Sequence, residues 1–236
     1  MNGPCHTIYL NANPNMAPRL TFYHTAAGNA ATLENLVAEI APDVQVKHVF
    51  SPEFLDEASK AGSMSQDLEQ RIVDKLLAEA NAGTDMVVLT CSTIGAAAGA
   101  AKGHSKIPIQ RIDTAMAEAA VASGPRILVA ACLQSTVGPT TSLIRSVAEE
   151  QGKQVTIEII LLSDAWSILQ AGNPEGYATA IADGLRPVAP NADVIVLAQA
   201  SMAKAADLLK DLPIPVLSSP RLGVEAAITQ LRNSSR

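Results

Sequence analysis

Leu89-Thr-Cys-Ser-Thr93 brings a thiol and three hydroxyls together directly after the apolar run Met86-Val-Val-Leu89. An uninterrupted apolar run of this kind reads as a buried parallel strand, and the small residues from Ile94 onward read as the start of a helix. A thiol with a pKa of about 8.5 is a poor base until the thiolate is favoured, and free N–H groups at a helix start favour thiolates and bind anions. The chemistry this suggests for Cys91 is abstraction or delivery of a proton at a carbon beside a carboxylate. A cysteine so placed can equally be a small apolar residue, and both readings remain open on these residues alone.

Asp193-Val-Ile-Val-Leu-Ala-Gln-Ala-Ser-Met202 has the same build as Asp85 to Ile94, with Gln199 at the position of Cys91. An amide has no useful proton affinity, so Gln199 cannot be an opposing acid or base; it can only hold a carboxylate or amide by hydrogen bonds. His24, at the end of an earlier strand, is the candidate for a second acid or base, against the alternative that it points away from any site. The hydroxyls and turn N–H groups of Ser92, Thr93, Ser135, Thr136 and Ser201 can cradle a carboxylate and stabilise an enediolate, or cap the helices that follow them. Thr25, Gln134 and Ala200 fall in the same strand-end loops. Cys132 pairs with Thr25 in the repeat described below and reads as structural, whereas Cys5 lies outside the repeat. Asp113 reads as a helix cap, Asp85 and Asp193 lie at the remote end of their strands, and His6, His48 and His104 have no evident partners.

These residues must be positioned by alternating strands and helices. Strands are expected at Arg19 to His24, Val44 to Phe50, Asp85 to Leu89, Ile107 to Ile112, Arg126 to Ala131, Val155 to Leu161 and Asp193 to Leu197. Helices are expected from Ala31 to Ile40, Ser65 to Asn81, Thr114 to Ala122, Pro139 to Gly152 and Ser201 to Lys210, and beyond Pro220, with shorter segments at Asp164 to Ala171 and Glu175 to Ala189. Residues 51–63 read as a loop with one helical turn, and Ile8 to Asn15 as a short strand and turn in an extension interrupted by Pro4, Pro14 and Pro18. Arg126 to Ala131 answers Arg19 to His24, Val147-Ala-Glu149 answers Val37-Ala-Glu39, and Leu212-Pro-Ile214 answers Ile107-Pro-Ile109, each roughly 107 residues later, which indicates a duplicated unit. The expected fold is α/β: two pseudo-symmetric three-layer lobes with parallel sheets, residues 19–123 and 124–236, after an extension at 1–18, with packing of the C-terminal helix on the first lobe left open. Ligands in such sheets bind at the carboxyl ends of strands, so the cleft should lie between the lobes, lined by residues 24–29, 91–95, 132–138 and 199–202.

Composition narrows the function. The chain has 236 residues, 48% apolar and 17% charged, with a net charge of −6 and only 3% aromatic residues. No basic run or aromatic platform suits nucleic acid, and no apolar run suits a membrane span. Three cysteines without a CxxC pair indicate neither a disulfide framework nor a zinc site, and no signal segment is read at the N-terminus, so a cytoplasmic protein is expected. Thr25-Ala-Ala-Gly-Asn29 lacks the glycine spacing of a dinucleotide-binding turn, and no phosphate-binding loop is present.

Leu89-Thr-Cys-Ser-Thr93, Leu197-Ala-Gln-Ala-Ser-Met202, Gln134-Ser-Thr-Val-Gly-Pro-Thr140 and Ser218-Ser-Pro-Arg-Leu-Gly-Val-Glu225 together resemble the aspartate/glutamate/hydantoin racemase superfamily, which also holds arylmalonate decarboxylase and maleate isomerase. The resemblance covers residues 19–232 and implies two similar α/β lobes with the site between them, a small carboxylate substrate, no cofactor, no metal and self-association. It implies two facing thiols for racemisation; here Cys91 matches the first position and Gln199 replaces the second. One-thiol chemistry of the same superfamily, decarboxylation or cis–trans isomerisation, stays open beside racemisation, as does a silent carboxylate-binding protein.

Overall fold

Two strands are buried along their whole length, Met86–Leu89 and Val194–Leu197, as central strands of parallel sheets covered on both faces must be. In the computed structural model, which describes residues 17–234, each lies inside a four-stranded parallel sheet. The first sheet contains β1 (Arg19–His24), β2 (Gln45–Phe50), β3 (Met86–Leu89) and β4 (Ile109–Arg111) in the order β2-β1-β3-β4. The second contains β5 (Arg126–Ala131), β6 (Thr156–Leu161), β7 (Val194–Leu197) and β8 (Val216–Ser218) in the order β6-β5-β7-β8. The duplication extends to single bonds. Asp85 accepts the Arg19 backbone N–H at 2.8 Å, and Asp193 accepts that of Arg126 at 2.9 Å, so one device ties down the start of both sheets.

Helices cover both faces of each sheet. On the first, α2 (Pro52–Ala61), α3 (Gln66–Ala80) and α4 (Ala96–Lys102) bury Phe54, Leu68, Ile72, Leu76 and Ala97 against Tyr23, Val87 and Leu89. Its opposite face carries α1 (Ala30–Ile40) and α10 (Ser219–Ser234), with Leu33, Val37, Val224, Ile228 and Leu231 packed on Leu20, Phe22, Met86 and Val88. The second sheet is covered by α7 (Ser163–Gln170), α8 (Pro174–Leu185) and α9 (Ala203–Asp207) on one face, and by α5 (Thr114–Ser123) and α6 (Gln134–Glu150) on the other.

Two helices are therefore exchanged. The α5 helix follows β4 of the first sheet but buries Met116, Ala117, Ala120 and Val121 on the second, while the C-terminal α10 returns to the first. A division at residue 123 cuts α5 from the core it completes; by packing, the second lobe begins with α5. The position next to α1 that α5 would otherwise fill is held by α10, whose Gly223 lies so close to β4 that an added Cβ would sit 2.2 Å from the Ile112 carbonyl oxygen.

Three local expectations need correction. Residues 51–63 form the full helix α2, started by Pro52 in its first turn and ended by Gly62 in the left-handed conformation at φ 76°, with Phe54 and Ala58 buried. The α6 helix begins at Gln134, not Pro139: the proline sits inside it, where it forgoes one backbone hydrogen bond without ending the helix. Asp113 makes no cap bond and instead pairs with Arg111. The expected strand and turn at Ile8 to Asn15 lies outside the described residues.

The Gly223 contact leads to a stability test. Gly223→Ala should destabilise the protein by about 2 kcal/mol or more, because a backbone carbonyl cannot swing aside. Gly99→Ala, at an exposed position of α4 with nothing within 4 Å of the new carbon, should instead stabilise by about 0.5–1 kcal/mol in the same urea titration.

Candidate active site

All strands of both sheets are parallel, so the loops at their carboxyl ends collect on one edge of each sheet. Where the two edges meet there is a cavity of about 190 Å³ lined by Thr25, Asn29, Thr90, Cys91, Ser92 and Thr93 from the first lobe. The second lobe contributes Leu133, Thr136, Gln199, Ala200 and Ser201. Ser92 Oγ donates to the Ala198 carbonyl at 3.3 Å, a direct tie between lobes beside the cavity. The turn that carries Cys91 is held from behind: Arg111 makes a two-pronged ion pair with Asp113 at 2.8 Å, largely buried, and packs against Gly95 where any Cβ would lie 2.5 Å from its Nε.

Cys91 and Gln199 occupy equivalent places. The residues before them, Thr90 and Ala198, bond in the same way to the first strand of their own sheet, through Tyr23 O at 3.0 Å and Ala130 O at 2.9 Å. Gln199 is 8% exposed, and its side-chain oxygen accepts from the backbone N–H groups of Cys132 at 2.6 Å and Leu133 at 3.2 Å. Since backbone N–H groups only donate, the oxygen must face them, and the amide NH₂ is left for the cavity. The cavity is thus lined by a thiol from one lobe and, at the equivalent place of the other, by an amide without proton-accepting ability.

The hydroxyls divide into two groups. Thr136 donates to Leu133 O at 2.8 Å as a helix-end bond, and Ser201 pairs with Tyr177 OH at 3.2 Å. Thr25 and Thr93 make no hydrogen bond to another described residue and are free to meet a ligand. Gln134 and Ser135 lie in the first turn of α6 and do not line the cavity. Cys132 is 1% exposed and packed in the core under Tyr177; burial pushes its thiol pKa up, in keeping with a structural residue.

Sequence reading missed one wall. Leu55 of α2, Leu133, and Trp166 and Leu169 of α7 give the cavity an apolar side. Among the described residues, no Asp, Glu, Lys, Arg or His lines it. Its size suits one small molecule, since a cavity of about 150 Å³ holds a benzene ring. A larger groove of about 430 Å³ lies over α3 and α4 near His104 and contains none of the strand-end residues.

His24 is not a lining residue. It is 1% exposed, with Nε2 at 2.8 Å from His48 Nδ1 and Nδ1 at 2.9 Å from Thr90 Oγ1. The strand alternation that carries Phe22 to the α1 and α10 side carries His24 there too, one hydroxyl away from the cavity. Burial, with the neighbouring His48 adding to it, lowers the His24 pKa from 6.5 to about 4. The unfolded chain then binds a proton at His24 below pH 6.5 and the folded protein only near pH 4. Its contribution to stability is complete above pH 6.5 and is lost as pH falls towards 4, by about 3 kcal/mol at most. Urea unfolding across that range should show this loss, and His24→Asn should flatten that part of the curve.

The Asp/Glu/Hydantoin racemase family model matches residues 24–227. No curated protein matches by sequence. Among solved structures, the glutamate racemase isoform RacE1 from Bacillus anthracis is similar at 15% identity and TM-score 0.69, covering 92% of this chain and 83% of that one. Allantoin racemase from Klebsiella pneumoniae aligns at 18% identity and TM-score 0.63 over 92% of this chain and 88% of its own. Unliganded arylmalonate decarboxylase aligns at 16% identity and TM-score 0.57, covering 91% and 93%. With the family model spanning most of its length and two matching parallel-sheet lobes, the chain belongs to the Asp/Glu/hydantoin racemase family.

Proposed function

We propose that this chain is an enzyme that moves a proton at the α-carbon of a small carboxylic or related carbonyl acid, using Cys91 as acid and base without a cofactor. The observation that carries this reading is the pairing of Cys91 with the clamped amide of Gln199 across an uncharged cavity. The Cys91 thiolate removes the α-proton: the C–H bond breaks, an S–H bond forms, and the electron pair moves onto the carboxyl oxygen. Gln199 NH₂ and the hydroxyls of Thr25 and Thr93 are placed to donate to the enediolate that forms. Return of the proton from sulfur to carbon closes the cycle. Gln199 has no proton to exchange on the other side, so the chemistry is one-sided.

The apolar wall favours a substrate whose other substituent is apolar over one that brings a second charge, because a buried charge needs a partner that this lining does not supply. The same wall supports a second reaction at the same thiol. For a malonate with an apolar substituent, the wall would strip water from the carboxylate that leaves as carbon dioxide; the electron pair of the broken C–C bond moves onto the remaining carboxylate as an enediolate, and Cys91 S–H protonates the carbon. A silent binding protein would bind such acids and turn over none of them.

The test is incubation of 2-phenylpropionate in deuterated water, followed by proton NMR. The wild type should incorporate deuterium at the α-carbon, and Cys91→Ala should be slower by about 100-fold or more. Absence of incorporation across a panel of α-substituted acids and hydantoins, or equal rates in Cys91→Ala, would remove Cys91 proton transfer from consideration.

A further inference from the structure

A hydroxyl has one hydrogen, and three of the hydroxyls that line the cavity have already placed theirs on backbone carbonyls. Thr90 donates to Tyr23 O at 3.1 Å, Ser92 to Ala198 O at 3.3 Å and Thr136 to Leu133 O at 2.8 Å. Thr25 and Thr93 make no hydrogen bond to another described residue, so nothing orients them. Ser201 differs from both groups. Its Oγ has one partner among the described residues, the Tyr177 hydroxyl at 3.2 Å, and no carbonyl.

Tyr177 decides which way that bond runs. Its side chain comes from α8, is 1% exposed and sits in the core of the second lobe with Cys132. Burial raises the pKa of its hydroxyl and the Cys132 thiol beside it adds to the rise, so the phenol stays protonated. A buried O–H must find an acceptor, and the choice lies between the Ser201 oxygen and the Cys132 sulfur. Sulfur is the weaker acceptor, so Tyr177 donates to Ser201. The Ser201 hydrogen then has no acceptor among the described residues and is left for the cavity, which the residue lines. A hydroxyl that accepts one hydrogen bond is polarised and donates the next more strongly. The Tyr177 ring also meets Trp166 edge-on at 6.4 Å, so the same buried side chain backs the apolar wall.

We propose that Tyr177, which lies in no strand-end loop, is a positioning residue: it holds Ser201 so that the serine donates its hydrogen to a carboxylate oxygen of the bound acid. This rests on the small-acid reading of the cavity above. A carboxylate only accepts hydrogen bonds, which suits a hydroxyl whose hydrogen is free and whose lone pair is already engaged. Gln199, two residues earlier in the same turn, and Ser201 then hold the acid from the second lobe. Neutral donors bind the charged group, and Trp166 and its apolar neighbours take the substituent.

The chain has a single tryptophan, Trp166, and it lines the cavity, so its fluorescence reports binding. Titration with 2-phenylpropionate should give a Kd that rises about tenfold in Ser201→Ala and about fivefold in Tyr177→Phe, which keeps the ring. In the Ser201→Ala background, Tyr177→Phe should add less than about twofold, because its effect on the acid runs through Ser201. Cumene, the same ligand with a methyl group in place of the carboxylate, should bind the wild type and all the variants equally. An unchanged Kd in Ser201→Ala, a full further loss in the double variant, or a loss of cumene binding that matches the loss of acid binding would each overturn the proposal. Wild-type binding without α-hydrogen exchange would refute the Cys91 chemistry alone and leave the cycle of variants to decide on Tyr177. Failure of the wild type to bind any acid would refute the small-acid reading and this proposal with it.

Discussion

The exchange of α5 and α10 between the two sheets is the constraint on which the cavity depends. Parallel strands place their carboxyl-end loops on one edge, but they do not by themselves bring two such edges together. Each sheet here completes its core with a helix from the other half of the chain, Met116 to Val121 on the second sheet and Val224 to Leu231 on the first. Neither lobe can move away without exposing that apolar surface to water. The approach of Gly223 to the Ile112 carbonyl fixes how closely α10 docks, immediately beside the Arg111–Asp113 pair that supports the Cys91 turn. The geometry of the thiol is therefore set by helix packing as much as by its own loop.

Within that frame, Gln199 is the residue on which the proposed chemistry turns. Its oxygen is held by two backbone N–H groups, which limits the rotational freedom of the amide. A thiol at this point would supply a second acid or base; the clamped amide supplies hydrogen bonding alone. Among the described residues no charged side chain lines the cavity, so hydrogen-bond donors are what it offers to a ligand.

Much of this was legible in the sequence because the duplication is strong. Matching runs such as Arg126 to Ala131 and Arg19 to His24 revealed two α/β lobes, and the strand ends revealed Cys91 and Gln199 as counterparts. The parts that were not legible depend on tertiary contact. Pro52 and Pro139 are ambiguous locally, since proline serves at a helix start and is also tolerated one or two turns inside. Leu55, Trp166 and Leu169 look like ordinary apolar faces of helices; only the arrangement of α2 and α7 beside the cavity turns them into its wall. The destination of α5 could not be read from its own residues, because a small apolar helix fits either sheet. The orientation of His24 follows from strand alternation, and the signal that could have shown it was the shared face of Phe22 and His24.

The central claim is a one-sided site, with a proton-transferring thiol on one face of the substrate and a fixed hydrogen-bond donor on the other. Its most direct test is the stereochemical fate of an α-deuterium. A single enantiomer of α-deuterated 2-phenylpropionate is incubated with the enzyme in ordinary water and analysed over time by chiral chromatography with mass detection. The account predicts loss of deuterium with the starting configuration retained, so that exchange far outpaces inversion. Appearance of the opposite enantiomer in step with deuterium loss would contradict it, because inversion needs a second proton-transferring group on the face where Gln199 stands.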